Sequence, residues 1–206
     1  MPFHNRILAV FLASFLSGCV SFYSNVYVND KYKGDTESSV LILPFADRNE
    51  GTFSGYYPEA GKVAQGYMEN ELLNLGYQVH HLEGLVPPTS NRPESPDLFD
   101  LGRRSGAKVV VIGIVTSYVQ GFATHPLSQR IEHVRFGFEA KAIQVETGTI
   151  LWKVSAYKKD EGIFSYTSPV QNLAAEVIRS VAAEMRWKGA GVKEKIPQES
   201  RTGSQY

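Results

Sequence analysis

The chain has one cysteine among its 206 residues, at position 19. A lone thiol excludes a disulfide framework and any zinc site built from several cysteines. An excess of charge of either sign is also missing, since 21 Lys and Arg stand against 21 Asp and Glu. With the cations dispersed among the acids and no basic run, nothing points to nucleic acid as a partner. Long hydrophobic runs are missing too. A helix needs ~20 apolar residues to cross ~30 Å of hydrocarbon, and the N-terminal apolar stretch ends by Val20 after starting at Ile7. An anchor helix is therefore not expected.

What that stretch offers instead is an export signal. MPFHNR carries the amino terminus and Arg6 as positive charges with no acid, ILAVFLASFLS is a short apolar core, and Gly18 and Cys19 follow. A charged segment, an apolar segment and small residues in that order are the layout of a secretory signal. The end of it, LSGC at 16–19, resembles a bacterial lipobox. That resemblance implies cleavage between Gly18 and Cys19 and acylation of Cys19. Each buried methylene contributes ~0.8 kcal/mol, so two or three chains hold a protein where one does not. Val20, where an inner-membrane lipoprotein carries Asp, implies by similarity to sorted Gram-negative lipoproteins the periplasmic face of the outer membrane. The thiol is then a lipid attachment point, and no cofactor or metal is expected.

Residues 1–18 are read as the signal peptide and 19–38 as an acylated tether, with one short strand at Asn25–Val28 pairing onto a sheet edge. A domain over 39–187 follows, and a Gly-, Lys- and Glu-rich tail over 188–206 is expected to be disordered. Within the domain, SVLILPF (39–45) is a continuous apolar run, the mark of a strand buried on both faces. Val63, Tyr67, Met68, Leu72 and Leu75 recur at helical spacing, with Gly76 as the C-terminal cap. YQVHHL (77–82) reads as a strand, DLFDLGRRSG (97–106) as a short helix, and AKVVVIGIVTSYV (107–119) as the central strand. In 131–148, Val134, Phe136, Phe138, Ala140 and Ala142 alternate with His133, Arg135, Glu139 and Lys141, which describes a half-exposed antiparallel strand. ETG (146–148) turns the chain into TILWKVSAYKK (149–159). Val170, Leu173, Ala174, Val177, Ile178, Val181, Ala182 and Met185 then form a helical stripe after Ser168-Pro169, a cap and first-turn pair. The predicted order is β-α-β-α-β-β-β-α: a single compact α/β domain, a mixed β-sheet with helices packed on it.

Catalytic patterns are not met. GTFSG (51–55) lacks the G-x-S-x-G spacing, and no Gly-rich loop carries a phosphate-binding Lys. His80 and His81 are neighbours on a strand, so their rings point to opposite faces and do not share a metal. Asp47 and Glu50, beside Arg48, are a carboxylate pair that either serves a hydrolase or belongs to an ordinary polar loop. The chain is read as a non-enzyme, with the hydrolase using the 46–58 loop as the alternative.

Four segments, VLILPF (40–45), VAQGYMENELLNLGYQV (63–79), LGRRSGAKVVVIGIVTS (101–117) and AKAIQVETGTILWKVSA (140–156), together resemble the curli-secretion (CsgG-like) superfamily of outer-membrane lipoproteins. That superfamily also takes in the Lpo-type activators of penicillin-binding proteins. Its members act by binding, some as secretion rings and others docked on periplasmic enzymes. The resemblance implies an interaction or assembly module that meets an unidentified envelope protein, docks on a cell-wall synthase, or assembles with copies of itself. A spanning hairpin needs ~9–11 residues per strand, so connectors 120–130 and 160–168 are expected to hold no hairpin beyond the core strands. Contact candidates are the loop aromatics Tyr56, Tyr57, Phe122, Phe164 and Tyr166, which either dock a partner or pack under their own loops. Arg135 and Lys141, with His133 and Glu139, are a second set, with an ordinary solvated face as the competing reading.

Replacing Cys19 by Ala should move the protein from the membrane pellet to the soluble periplasmic fraction. Fractionation of intact envelopes checks this, and a variant that stays in the pellet contradicts the lipid anchor.

Overall fold

A computed structural model describes residues 20–30, 39–48, 59–80, 96–125, 128–161 and 169–189. Within them lie strands β1 (Val20–Val28), β2 (Ser39–Ile42) and β3 (Ala46–Asp47), then helix α1 (Ala60–Asn74) and strand β4 (Gln78–His80). Helix α2 (Pro96–Ser105), strands β5 (Val109–His125), β6 (Ser128–Gln144) and β7 (Ile150–Glu161), and helix α3 (Val170–Gly189) complete the chain. All strands join one seven-stranded sheet in the order β1-β7-β6-β5-β2-β4, with the two-residue β3 also paired to β5. The β2 pairs with β4 and β5 are parallel, and those among β5, β6, β7 and β1 are antiparallel. This is the α/β class with a mixed sheet and packed helices that the periodicities predict.

The periodicities also choose the faces. Val134, Phe136, Phe138, Ala140 and Ala142 of β6 are all buried, and all eight stripe residues of α3 from Val170 to Met185 are buried with them. All of these but Ala182 join Val154, Ala156 and Trp152 of β7 and Val26 of β1 in one core, which α1 closes through Ala60, Ala64, Met68 and Leu72. Fully burying a Val, Leu, Ile or Met side chain contributes ~1.5–3 kcal/mol, so the α3 stripe is a principal source of stability. Aromatic geometry adds to it: Tyr118 meets Phe136 edge-on at 6.1 Å, and Phe136 stacks on Phe138 at 5.6 Å. A smaller cluster of Leu41, Leu43, Leu98, Ala107, Val110 and Val145 lies where α2 meets the other face. Ser39 ties that junction: its Oγ donates to the Gly106 carbonyl at 3.1 Å, and its carbonyl accepts from the Lys108 N–H at 2.9 Å. Gly76 and Gly106 end their helices at φ of 91° and 72°, the left-handed region that favours glycine.

Three expectations are corrected. The strand in the N-terminal segment is β1, nine residues beginning at Val20 rather than four at Asn25. Phe22, Val26 and Val28 alternate toward the helices along its length, and that pattern extends the pairing. Connector 120–130 is no loop: β5 and β6 remain paired to His125↔Ser128, so Phe122 lies in β5. Finally, α3 begins at Val170, with the Pro169 carbonyl already accepting from Asn172 N–H at 3.0 Å. Ser168, read as the cap, lies outside the described residues, and proline has no side-chain acceptor. The buried Gln120 of β5 supplies it instead, its Oε1 accepting from Val170 N–H at 3.0 Å.

Gly61 faces the β2–β3 connection so closely that an added Cβ would lie 2.2 Å from the Phe45 carbonyl oxygen, whereas Gly66 has open space. Gly61→Ala should therefore destabilise the fold by ~1–3 kcal/mol through overpacking. Gly66→Ala should stabilise it by ~0.5–1 kcal/mol through helix propensity. Urea unfolding of the two variants checks both signs.

Candidate interaction face

With α1 and α3 on one face of the sheet, α2 is the one described helix on the opposite face, and it packs at the β2–β5 side. The register of the remaining four strands arranges the other residues in rows across β5, β6, β7 and β1. From the β5–β6 hairpin end downward the rows are Val119–Arg135–Lys159–Ser21 and Ser117–Gly137–Tyr157–Tyr23. Ile114–Glu139–Ser155–Asn25 and Ile112–Lys141–Lys153–Tyr27 follow. Tyr23 and Tyr27 are 57% and 53% exposed, large values for aromatic residues. Glu139 and Lys153 are exposed, and Arg135, Lys141, Tyr157 and Lys159 are half-buried.

Two features separate this lattice from an ordinary solvated face. Arg135 stands directly opposite Lys159, and Lys141 directly opposite Lys153. Like charges in that position destabilise a sheet by ~0.2–1 kcal/mol per pair. The chain carries equal numbers of cations and acids, so it is not short of acids that would relieve them. In these rows the one acid is Glu139. Second, Gly137 opens a shallow seat: Tyr157 Cδ2 lies 3.1 Å, and Thr116 Oγ1 2.8 Å, from where a Cβ would be. The Tyr157 ring therefore lies down on the sheet beside Tyr23. Two rows nearer the hairpin, the His133 ring covers Gly121 in the same way.

The other face has its charges paired. Lys158 Nζ reaches the Glu176 carboxylate of α3, and Ser24 Oγ donates to Glu184 Oε2 at 3.0 Å. Lys158 on the helix side is thus used for packing, whereas Lys141 and Lys153 on the open side face each other.

Of the residues singled out from sequence, Arg135, Glu139 and Lys141, with His133, do share one face of β6. The structure adds Lys153, Lys159, Tyr23, Tyr27 and Tyr157, which strand periodicity cannot assign as neighbours without the register. Tyr56, Tyr57, Phe164 and Tyr166, like Gly18, Cys19, Glu50 and His81, lie outside the described residues. Asp47 lies in β3 opposite Val115. Among the described residues no group of three His, Cys, Asp or Glu is placed to hold a metal ion. No described helix is long and apolar enough to cross a membrane.

No family model matches the chain, and no curated protein matches it in sequence. Solved structures do. PelC from Paraburkholderia phytofirmans, solved as a dodecamer, is 15% identical, with 80% of this chain and 97% of that chain covered at a TM-score of 0.56. The hypothetical protein CT253 from Chlamydia trachomatis is 11% identical over 76% of this chain and 99% of that one, at 0.51. Lipoprotein GNA1162 from Neisseria meningitidis is 19% identical over 72% and 98%, at 0.47. At these identities the likeness to PelC and CT253 is one of fold.

Lys141→Glu converts one like-charge pair into an opposite-charge pair, and should stabilise the isolated protein by about 0.5–1 kcal/mol. Added salt should stabilise the parent by screening the repulsion, and should remove part of the variant's gain. Denaturation midpoints at low and high ionic strength check both.

Proposed function

We propose that this chain is a non-enzymatic lipoprotein, held at the periplasmic face of the outer membrane by an acylated Cys19, whose open sheet face docks an acid-rich envelope protein. The observation that carries the reading is the opposed cation pair Lys141–Lys153 on the same face as Arg135. That pair weakens the free domain, and an acidic partner would relieve it. Three tyrosines on the same face supply rigid contact area with few rotamers to lose. A broad sheet surface suits another protein better than a small molecule.

The element order behind the resemblance to the curli-secretion superfamily and its Lpo-type activators recurs in the fold, which supports that membership. It leaves two kinds of binding partner. One is a separate envelope protein, such as a cell-wall synthase. The other is a second copy of the chain, a reading favoured by the shared fold with PelC, which was solved as a dodecamer.

The test combines native mass with crosslinking of the full-length lipidated protein in intact envelopes, followed by extraction in mild detergent. The parent should crosslink to an acidic protein, and the Lys141→Glu/Lys153→Glu variant should lose that product at least tenfold while remaining membrane-bound and folded. A discrete homo-oligomer that the same variant dissociates would assign the face to self-assembly. An unchanged crosslinking pattern and unchanged mass in the variant would overturn the role of this face. Asp47→Ala, aimed at the alternative hydrolase, should leave the product intact.

A further inference from the structure

The register fixes which end of the sheet bears the N-terminus. Val20 pairs with Asp160, Asp160 with Val134 and Val134 with Gln120, so these four residues form one row across β1, β7, β6 and β5. Residue 19 is one Cα step, about 3.8 Å, from that row. Beyond it, His133 still pairs with Glu161 and Gly121. Past that point β5 and β6 continue alone, through Phe122↔Ile131, Ala123↔Arg130, Thr124↔Gln129 and His125↔Ser128. These four rungs at ~3.3 Å each carry the hairpin about 13 Å past the His133–Glu161 row, which is the level of residue 19. The hairpin and the lipid attachment point therefore leave the sheet at the same end, with no slack between Cys19 and the first strand residue.

From this juxtaposition we propose that the β5–β6 hairpin enters the headgroup layer of the bilayer that holds Cys19, as a second, non-covalent contact with the same membrane. The inference rests on the reading that Cys19 is acylated. An acylated cysteine sits at the level of the headgroups, and the polar layer on each side of the hydrocarbon is only about 5–8 Å deep. A hairpin projecting ~13 Å past that level meets lipid unless the sheet lies flat. Four rungs fall short of the ~9–11 residues a spanning strand needs, so the hairpin seats in one leaflet and does not cross. Its arms, FATH and SQRI, mix apolar residues with His125 and Arg130, a composition suited to an interface and not to the hydrocarbon centre. Two contacts at one end stand the strands up from the membrane, so that the open basic face turns sideways into the periplasm.

The experiment uses full-length protein acylated in cells and reconstituted into phosphatidylethanolamine/phosphatidylglycerol vesicles. Because acylation consumes the Cys19 thiol, a cysteine introduced by Thr124→Cys is the reactive one and takes an environment-sensitive fluorophore. Lys153→Cys, seven residues down β7 from the Asp160 row, takes the same label as the comparison site. Lipids carrying a nitroxide near the headgroup should quench the label at 124 several-fold more than the label at 153. Gln129→Cys, across the hairpin from Thr124, gives an independent reading if the first variant folds poorly. Equal, weak quenching at both sites in protein whose N-terminal peptide has the mass of an acylated cysteine would overturn the hairpin contact alone. An N-terminal peptide without acyl mass would overturn the anchor and, with it, this orientation.

Discussion

The packing of α3 on one face of the antiparallel strands is the constraint on which the rest depends. Its apolar stripe reaches β5, β6, β7, β1 and α1, and polar groups fix its placement at both ends. Gln120 caps the first N–H from inside the sheet, Glu176 takes the charge of the 13%-exposed Lys158, and Glu184 accepts from Ser24. Once this face is committed to the core, strand alternation commits every second residue to the other face. The open lattice is thus a consequence of the core and not a separate design. Its contents are still free to vary, because those side chains contribute little to the packing. That freedom makes the choice of opposed cations there informative.

Much of the fold is legible in the sequence because most of it is strongly periodic. The α3 stripe keeps helical spacing from Val170 to Met185, and β6 alternates without a break from Val134 to Ala142, so both type and face could be read directly. The β5–β6 hairpin was not legible, for physical reasons. Gly121 interrupts the apolar run, register shifts fall between Val115 and Ser117 and between Gly121 and Phe122, and the turn region lacks the Asn-Gly or Asp-Gly signal of a tight hairpin. The polar residues between Gln120 and Arg130 read as a loop in the sequence. The strand β1 was underestimated for a related reason, since Ser24 holds an inward position where an apolar residue would have completed the pattern, and its role is to reach Glu184.

The interaction face was half legible. Strand period places Arg135, Glu139 and Lys141 together on β6, but says nothing about who stands beside them. Lys153 and Lys159 belong to a strand read as an ordinary hairpin partner, and Tyr23 and Tyr27 to a segment read as tether. Register converts these scattered residues into a lattice, and register depends on where the 146–148 turn closes. Gly148, at φ 68°, sets that closure and therefore decides that lysine meets lysine. A shift of one residue would carry the β7 side chains to the other face and turn Lys153 and Lys159 toward the core. The opposed cations are thus locked in by the same alternation that places Trp152, Val154 and Ala156 in the core.

That locking bears on how the repulsion is tolerated. The Lys141–Lys153 pair costs the domain on the order of 0.2–1 kcal/mol, set against a total stability of ~5–15 kcal/mol for a typical domain. A cost of this size can persist only in a fold with a well-built core on the opposite side, which α3 provides. It also has a steep dependence on what lies nearby, because charges at a half-buried surface respond to an approaching acid more strongly than fully hydrated ones do. The face therefore gains more from an acidic neighbour than an equal number of cations spread over the surface would. The sheet can leave one face open because the other is fully packed, and the strain stored on the open face is released only by contact.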